Sequence, residues 1–289
     1  MPLTAQSETP RFVTVFDETY NRPDARAYYR MLWQLGYRNH ANAVPVFRAL
    51  LDEITQLRGL TAPHVFDFAS SYGIVTALMK HEISAQDFLG RYSDRALDGF
   101  DAAGMVAADR TWLDGKPRHA PAARFSALDV AGNAVTYGKA IGLFEQGFVE
   151  DLQSNNPSRA LTFCLADVDL IVECGSVAHL IPRALDRILH AAKKRPWIVM
   201  SPVRGNERAE TFAVMRAHGL VVENLGLPPF VHRRFKTADE QARAIAIAQA
   251  AGHDTSDFED TGAFFAQIYL ARPRDEAFPL SGLGAVSPL

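Results

Sequence analysis

The sequence predicts an α/β protein: a seven-stranded, mostly parallel sheet with helices on both faces, preceded by a helical segment. From His64 onward, short β-rich runs alternate with amphipathic stretches, the pattern of parallel strands joined by crossover helices. Between Asp24 and Leu57 the apolar residues instead recur at helical spacing, as in Tyr28, Leu32 and Leu35, then Val46, Leu50 and Ile54. A chain of 289 residues, 48% apolar and 22% charged, also holds enough apolar material for a large core.

Taken in order, residues 1–10 are polar and end in Pro10, so the start is expected to be loosely ordered. Residues 1–60 read as an N-terminal helical lid of two or three helices, with a break around Gly36 to Pro45. The α/β domain spans 61–273. Its strands are predicted at 64–68, 124–128, 147–150, 168–173, 196–201, 221–225 and 264–271. Helices fit between them at 73–80, 132–145, 157–166, 179–193, 207–218 and 238–251. The stretch from about 82 to 120 is longer than one crossover needs and reads as an insertion with its own helices. Residues 274–289, rich in proline and glycine, read as a flexible tail.

Composition narrows the function. Two cysteines, Cys164 and Cys174, are too few for a disulfide framework and lack zinc-ligand spacing, so no metal is expected. A net charge of −3 gives no reason to expect nucleic acid, and the short basic run of Arg233, Arg234 and Lys236 reads as a solvated strand face. The first residues, MPLTAQSETP, show no targeting pattern, and no uncharged run is long enough for a membrane helix. The expectation is a cytoplasmic protein acting on a small-molecule substrate, with no membrane or nucleic-acid partner; a homodimer is compatible with this.

In an open α/β sheet, ligands bind beyond the carboxyl ends of the strands. The first strand, HVFDF, carries Asp67 near its end and runs into Ala69-Ser70-Ser71-Tyr72-Gly73 before a helix. This small-residue turn lets a nucleoside approach the backbone. The segment resembles the first motif of class I S-adenosylmethionine-dependent methyltransferases, an apolar strand, an Asp and a glycine-rich turn, and the likeness extends over residues 64–272. Ala69 and Ser71 stand where that family usually has glycines. The resemblance implies a Rossmann-like fold and S-adenosylmethionine as cofactor, held by Asp67, Ala69, Ser70, Ser71 and Gly73. It further implies that Asp129, followed by Val130, receives the ribose hydroxyls, that Asp151, with Leu152, meets the adenine amino group, and that Glu173 ends the strand flooring the cofactor. A dehydrogenase reading needs several glycines in the turn and an acid about 20 residues later, whereas this chain has one glycine in the turn and no suitably placed second strand.

A sulfonium-bound carbon is already electrophilic, so positioning and exclusion of water should dominate. Aromatic faces can steady the cation, and the N-terminal helices are rich in them; Tyr29, Tyr37, Arg38 and His40 are the substrate candidates there, as are Ser201 and Arg204 after the fifth strand. His179 and Tyr72 are the candidate bases. The leading expectation is methyl transfer to a small metabolite, such as one of secondary metabolism. Two alternatives stay open. One is a cyclising or lyase enzyme of the azetidine-2-carboxylate synthase type, which consumes S-adenosylmethionine as substrate and releases methylthioadenosine. The other is a catalytically inactive binding or scaffold protein.

Overall fold

The computed structural model describes residues 19–120, 122–175 and 182–280. Two helices precede the sheet, α1 (Arg26–Gln34) and α2 (Asn39–Arg58). The expected break at Gly36 to Pro45 is shorter than that: α2 begins at Asn39 and runs through Pro45. A proline inside a helix costs about 3 kcal/mol, and what offsets it is burial, since Val46, Phe47, Leu50, Leu51 and Ile54 all enter the core. The start of α2 is also held from outside. The Arg38 amide donates to the His232 carbonyl at 2.7 Å, and Asn42 Nδ2 to the Val231 carbonyl at 3.2 Å.

The strands are β1 (His64–Phe68), β2 (Arg124–Asp129), β3 (Gln146–Val149), β4 (Leu170–Glu173), β5 (Trp197–Met200), β6 (Leu220–Asn224), β7 (Phe230–Arg234), β8 (Ala263–Ala266) and β9 (Tyr269–Pro273). The main sheet has seven strands in the order β3-β2-β1-β4-β5-β9-β6. β1 to β5 are mutually parallel, and β9 runs antiparallel between β5 and β6. Side chains alternate across the sheet. Val65, Leu170 and Trp197 face the core under α1, α2 and α3 (Ile74–Lys80), whereas Phe66, Ile171 and Ile198 face the one under α7 (Arg159–Leu165), α8 (Pro182–Ala191) and α9 (Ala209–Ala217). Both faces being covered explains why HVFDF is buried throughout.

Two expectations are corrected. The run at 264–271 is two strands: β9 joins the main sheet, and β8 instead pairs with β7 in a separate two-stranded sheet. The break falls at Gln267 and Ile268, and apolar residues on both sides of that one polar residue make the run read as a single strand. The basic run at 233–236 is also only partly solvated. Arg233 is 1% exposed and forms an ion pair with Glu240 of α10 (Ala238–Ala250), Nη2 to Oε1 at 2.7 Å, while Arg234 lies at the surface.

The insertion does carry its own helices, α4 (Ala85–Arg91), α5 (Ala102–Asp114) and a short 3-10 turn between them. It is pinned by the buried Asp109 carboxylate, which accepts from Tyr92 and Tyr137 hydroxyls at 2.5 Å each and pairs with Arg91 at 2.8 Å. After β2, α6 spans Gly132–Ala140, five residues shorter than expected at its end. Of the expected tail, 281–289 lies outside the described residues, whereas Glu276 is anchored by Arg58 at 2.8 Å and by the Trp197 indole at 2.6 Å. No helix among the described residues is long and apolar enough to cross a membrane.

Candidate active site

The parallel strands bring their carboxyl ends to one side of the sheet, and the β1 turn shapes the crevice there. Ala69 (φ 54°), Ser71 (φ 52°) and Gly73 (φ 88°) alternate in the left-handed region. Ala69 and Ser71 therefore hold the conformations that glycine usually supplies, at a cost of about 1–2 kcal/mol each. Gly73 is needed twice over, because a Cβ there would also come within 2.7 Å of Phe144 and 2.8 Å of Leu143. Inside the turn, the Ser70 hydroxyl oxygen is buried with no hydrogen-bond partner in the protein, which leaves polar capacity for a ligand, while the Ser71 side chain lies in reach of the Tyr20 and Tyr28 hydroxyls.

Asp67 is 1% exposed and accepts from Thr76 Oγ1 at 2.8 Å. Burial pushes its pKa up to about 7, against the Thr76 hydrogen bonds and with the carboxylates of Asp129 and Glu173 adding to the rise. Asp129, at the end of β2, receives the Ser71 amide (2.9 Å) and the Tyr20 hydroxyl (2.9 Å) on Oδ2, and the Ala131 amide (2.8 Å) on Oδ1. Beside it Val130 is 67% exposed, bare apolar surface next to an acid. After β3 the acids divide their work. Glu150 caps α7 through Ser158. Asp151 is held below its ordinary value by hydrogen bonds from Ser154 and Gln153. Leu152 is buried in the core. Glu173, fully buried, ends β4.

A sheaf of tyrosines closes over this crevice. Tyr20 and Tyr28 rings lie 5.3 Å apart, Tyr28 and Tyr72 5.5 Å, and Tyr29 and Tyr72 5.9 Å. Burial raises the Tyr28 pKa to about 12, against a hydrogen bond with the Ser71 side chain and with the Asp129 carboxylate adding to the rise. Tyr29 is fully buried and reaches back to Phe88 and Tyr92. Tyr72 donates to the Arg22 carbonyl at 2.9 Å, and burial raises its pKa, so its proton stays on at neutral pH. His179 lies outside the described residues.

The second half of the site comes from distant parts of the chain. Cys174 and Gly175 follow β4, Ser201 follows β5, Tyr37, Asn39 and His40 surround the start of α2, and His232 comes from β7. Asn39 Nδ2 donates to Ser201 Oγ (3.1 Å) and Cys174 Sγ (3.3 Å). The Tyr37 hydroxyl meets His232 Nε2 at 3.1 Å, and the Tyr37 ring stacks 4.7 Å from His40. A Cβ on Gly175 (φ 87°) would come within 2.9 Å of Asn39, His232 and Tyr37 together. Burial lowers His40 to about 3 and His232 well below its ordinary value, so both imidazoles are neutral. Asn39 Oδ1, His40 Nδ1 and His232 Nδ1 are buried without partners.

Thus Tyr37, His40 and Ser201 of the expected substrate residues converge, while Arg38 is exposed at the edge. Arg204 is turned away, paired with Glu259 at 3.0 Å, bonded to the Asp254 carbonyl and stacked 4.3 Å from Phe258. His232 is the member that sequence reasoning missed. It sits in a Val-His-Arg-Arg run that reads as surface, and only the β7–α2 contact reveals it.

The strand order and the antiparallel β9 agree with the family resemblance. The chain has a Rossmann-like α/β fold with this strand order. No family model matches the sequence, and no curated protein does. Among solved structures, it is similar to magnesium protoporphyrin IX methyltransferase from Synechocystis, with a TM-score of 0.40 and 9% identity over 81% of this chain and 80% of that one. For a TehB-like SAM-dependent methyltransferase from Corynebacterium glutamicum the values are 0.40, 13%, 86% and 98%. For the cyclase SpnF they are 0.38, 16%, 78% and 81%. These likenesses are distant, and the fold rests on the topology itself.

Proposed function

We propose that the crevice binds S-adenosylmethionine and that the protein transfers its methyl group to a small, uncharged polar acceptor held by the Asn39, His40 and His232 cluster. The observation that carries this reading is the convergence of buried Asp67, Asp129 and Glu173 at neighbouring strand ends, with carboxylates as the charged neighbours of Asp67. Such a site favours a cation and opposes the phosphates of a nicotinamide cofactor.

The residues fit the cofactor. The left-handed Ala69-Ser71-Gly73 turn and the orphaned Ser70 hydroxyl offer a close polar approach, Asp129 an anionic acceptor for a ribose hydroxyl, and Val130 a bare apolar surface for a flat ring. When bound, the cofactor supplies an electrophilic methyl. The protein's part is then to orient and to exclude water. Tyr20 and Tyr28 cover the crevice with aromatic faces suited to a sulfonium. Tyr37 fixes the His232 ring, so that Asn39 Oδ1 and the two free imidazole nitrogens can hydrogen-bond an acceptor. Arg204 and Arg233 are both committed to glutamates, so neither offers free charge for an anionic acceptor.

The test is incubation with S-adenosylmethionine and a panel of uncharged hydroxyl, amide and heterocyclic acceptors, followed by mass spectrometry. S-Adenosylhomocysteine together with a methylated product supports the reading. Methylthioadenosine released without an acceptor would assign intramolecular displacement instead, and failure to bind the cofactor at millimolar concentration would make the chain a scaffold.

A further inference from the structure

We propose that Asp186, His190 and His218 form a binding site for a borderline divalent metal ion of the Zn²⁺, Co²⁺ or Ni²⁺ kind, on the sheet face covered by α8 and α9. No sequence spacing announces it, because only two of the three residues are near neighbours. Asp186 and His190 stand one turn apart on α8, while His218 is the C-cap just past the end of α9, and the two helices pack together.

The geometry is close to that of a preformed site. Asp186 Oδ1 lies 2.8 Å from His218 Nε2 and 3.2 Å from His190 Nδ1. One ligand atom from each of the three residues lies within 4.8 Å of the other two. Ligand atoms around a tetrahedral zinc stand about 3.4 Å apart, as metal–ligand bonds of about 2.1 Å require. The two imidazole rings are 4.8 Å apart and nearly perpendicular, at 87°, so their edges converge on the shared carboxylate. Two imidazoles and one carboxylate suit a borderline ion better than magnesium or calcium, which prefer oxygen ligands.

Access and rigidity point the same way. The side chains are 48%, 70% and 20% exposed for Asp186, His190 and His218, so an ion can enter from solvent and keep water in its remaining positions. All three residues ride on helices fixed by buried residues, Leu185, Ile188 and Leu189 on α8 and Met215 on α9, so little order has to be created on binding. The ion displaces the proton between His218 Nε2 and Asp186 Oδ1 and the hydrogen bond of His190 Nδ1 with the Asp186 backbone carbonyl at 2.9 Å. A bound ion would staple α8, the helix before β5, to the end of α9, the helix before β6.

The test uses the full chain stripped of metal with a chelator, titrated with Zn²⁺ and with Co²⁺ by calorimetry and by the Co²⁺ visible spectrum. One saturable site per chain is expected, weakened about tenfold or more by His190→Ala or His218→Ala and lost in the double variant, with unchanged circular dichroism. Binding that survives in the double variant would place the ion elsewhere, for example on the thiols, and would overturn the proposal. So would the absence of saturable binding in the wild-type chain.

Discussion

The two halves of the crevice handle charge in opposite ways. On the β1–β4 side, acids are buried close together, and Asp67 stays half-protonated near neutrality as a result. On the β5–β7 side, every buried charge is matched, Arg204 with Glu259 and Arg233 with Glu240, and the histidines between them are neutral. In the proposed function this contrast divides the labour: the acidic side would receive the cation and the other side a neutral polar group.

The largest effect expected from breaking the acidic side is on stability against pH. Asp67 ionises at about 7 in the folded protein against 3.8 when unfolded, so its raised value costs the wild type stability as pH climbs from about 4 to about 7. Asp67→Asn keeps an acceptor for Thr76 and removes that cost. It should stabilise the protein at pH 8 by up to about 4 kcal/mol and leave it unchanged at pH 3.5, as read by urea unfolding at the two pH values. Equal curves at both would mean Asp67 is not strained.

Next is Asp129→Ala, which removes the charged acceptor at the ribose position. S-Adenosylmethionine binding should weaken about thirtyfold by calorimetry, the worth of one charge-assisted hydrogen bond at about 2 kcal/mol to the lone pair that Tyr20 and the Ser71 and Ala131 amides leave open. Unchanged affinity would take Asp129 out of the site.

On the neutral side, Gly175→Ala forces a Cβ against Asn39, His232 and Tyr37 at a left-handed position. A loss of about 2 kcal/mol in stability is expected, with turnover reduced but cofactor affinity held within a few-fold. Loss of cofactor affinity instead would merge the two halves into one.

The smallest effect concerns Tyr20. Its hydroxyl and the Ser71 amide both sit on Asp129 Oδ2, filling the two lone pairs that a ribose hydroxyl would seek. Tyr20→Phe frees one, and cofactor affinity should rise a few-fold, about 1 kcal/mol. Weaker binding in the variant would show that the tyrosine hydroxyl itself helps hold the ligand.

The same contrast explains what the sequence revealed. The acidic half is written in consecutive residues, strand then acid then small turn, so Asp67, Ala69 to Gly73, Asp129 and Glu173 could each be read beside their strands. The positive φ of Ala69 and Ser71 was not legible, because no residue type announces it as glycine does. The neutral half joins residues 37–40, 174–175, 201 and 232, and its key contact is that of β7 with the start of α2. That contact goes with β7 and β8 pairing outside the main sheet, a break that the apolar residues on both sides of Gln267 concealed. Arg204 and Arg233 were misjudged for the same reason: their partners, Glu259 and Glu240, lie 55 and 7 residues away on elements whose packing no local pattern encodes.

The most direct test of the central claim is a calorimetric titration of S-adenosylmethionine into the wild-type protein, repeated with S-adenosylhomocysteine, which lacks the sulfonium charge. An acid-lined crevice should bind both at one saturable site per chain and hold the cationic form at least as tightly, with that advantage diminished in Asp67→Asn. No saturable binding at millimolar ligand, or a preference for the neutral form untouched by Asp67→Asn, would contradict it.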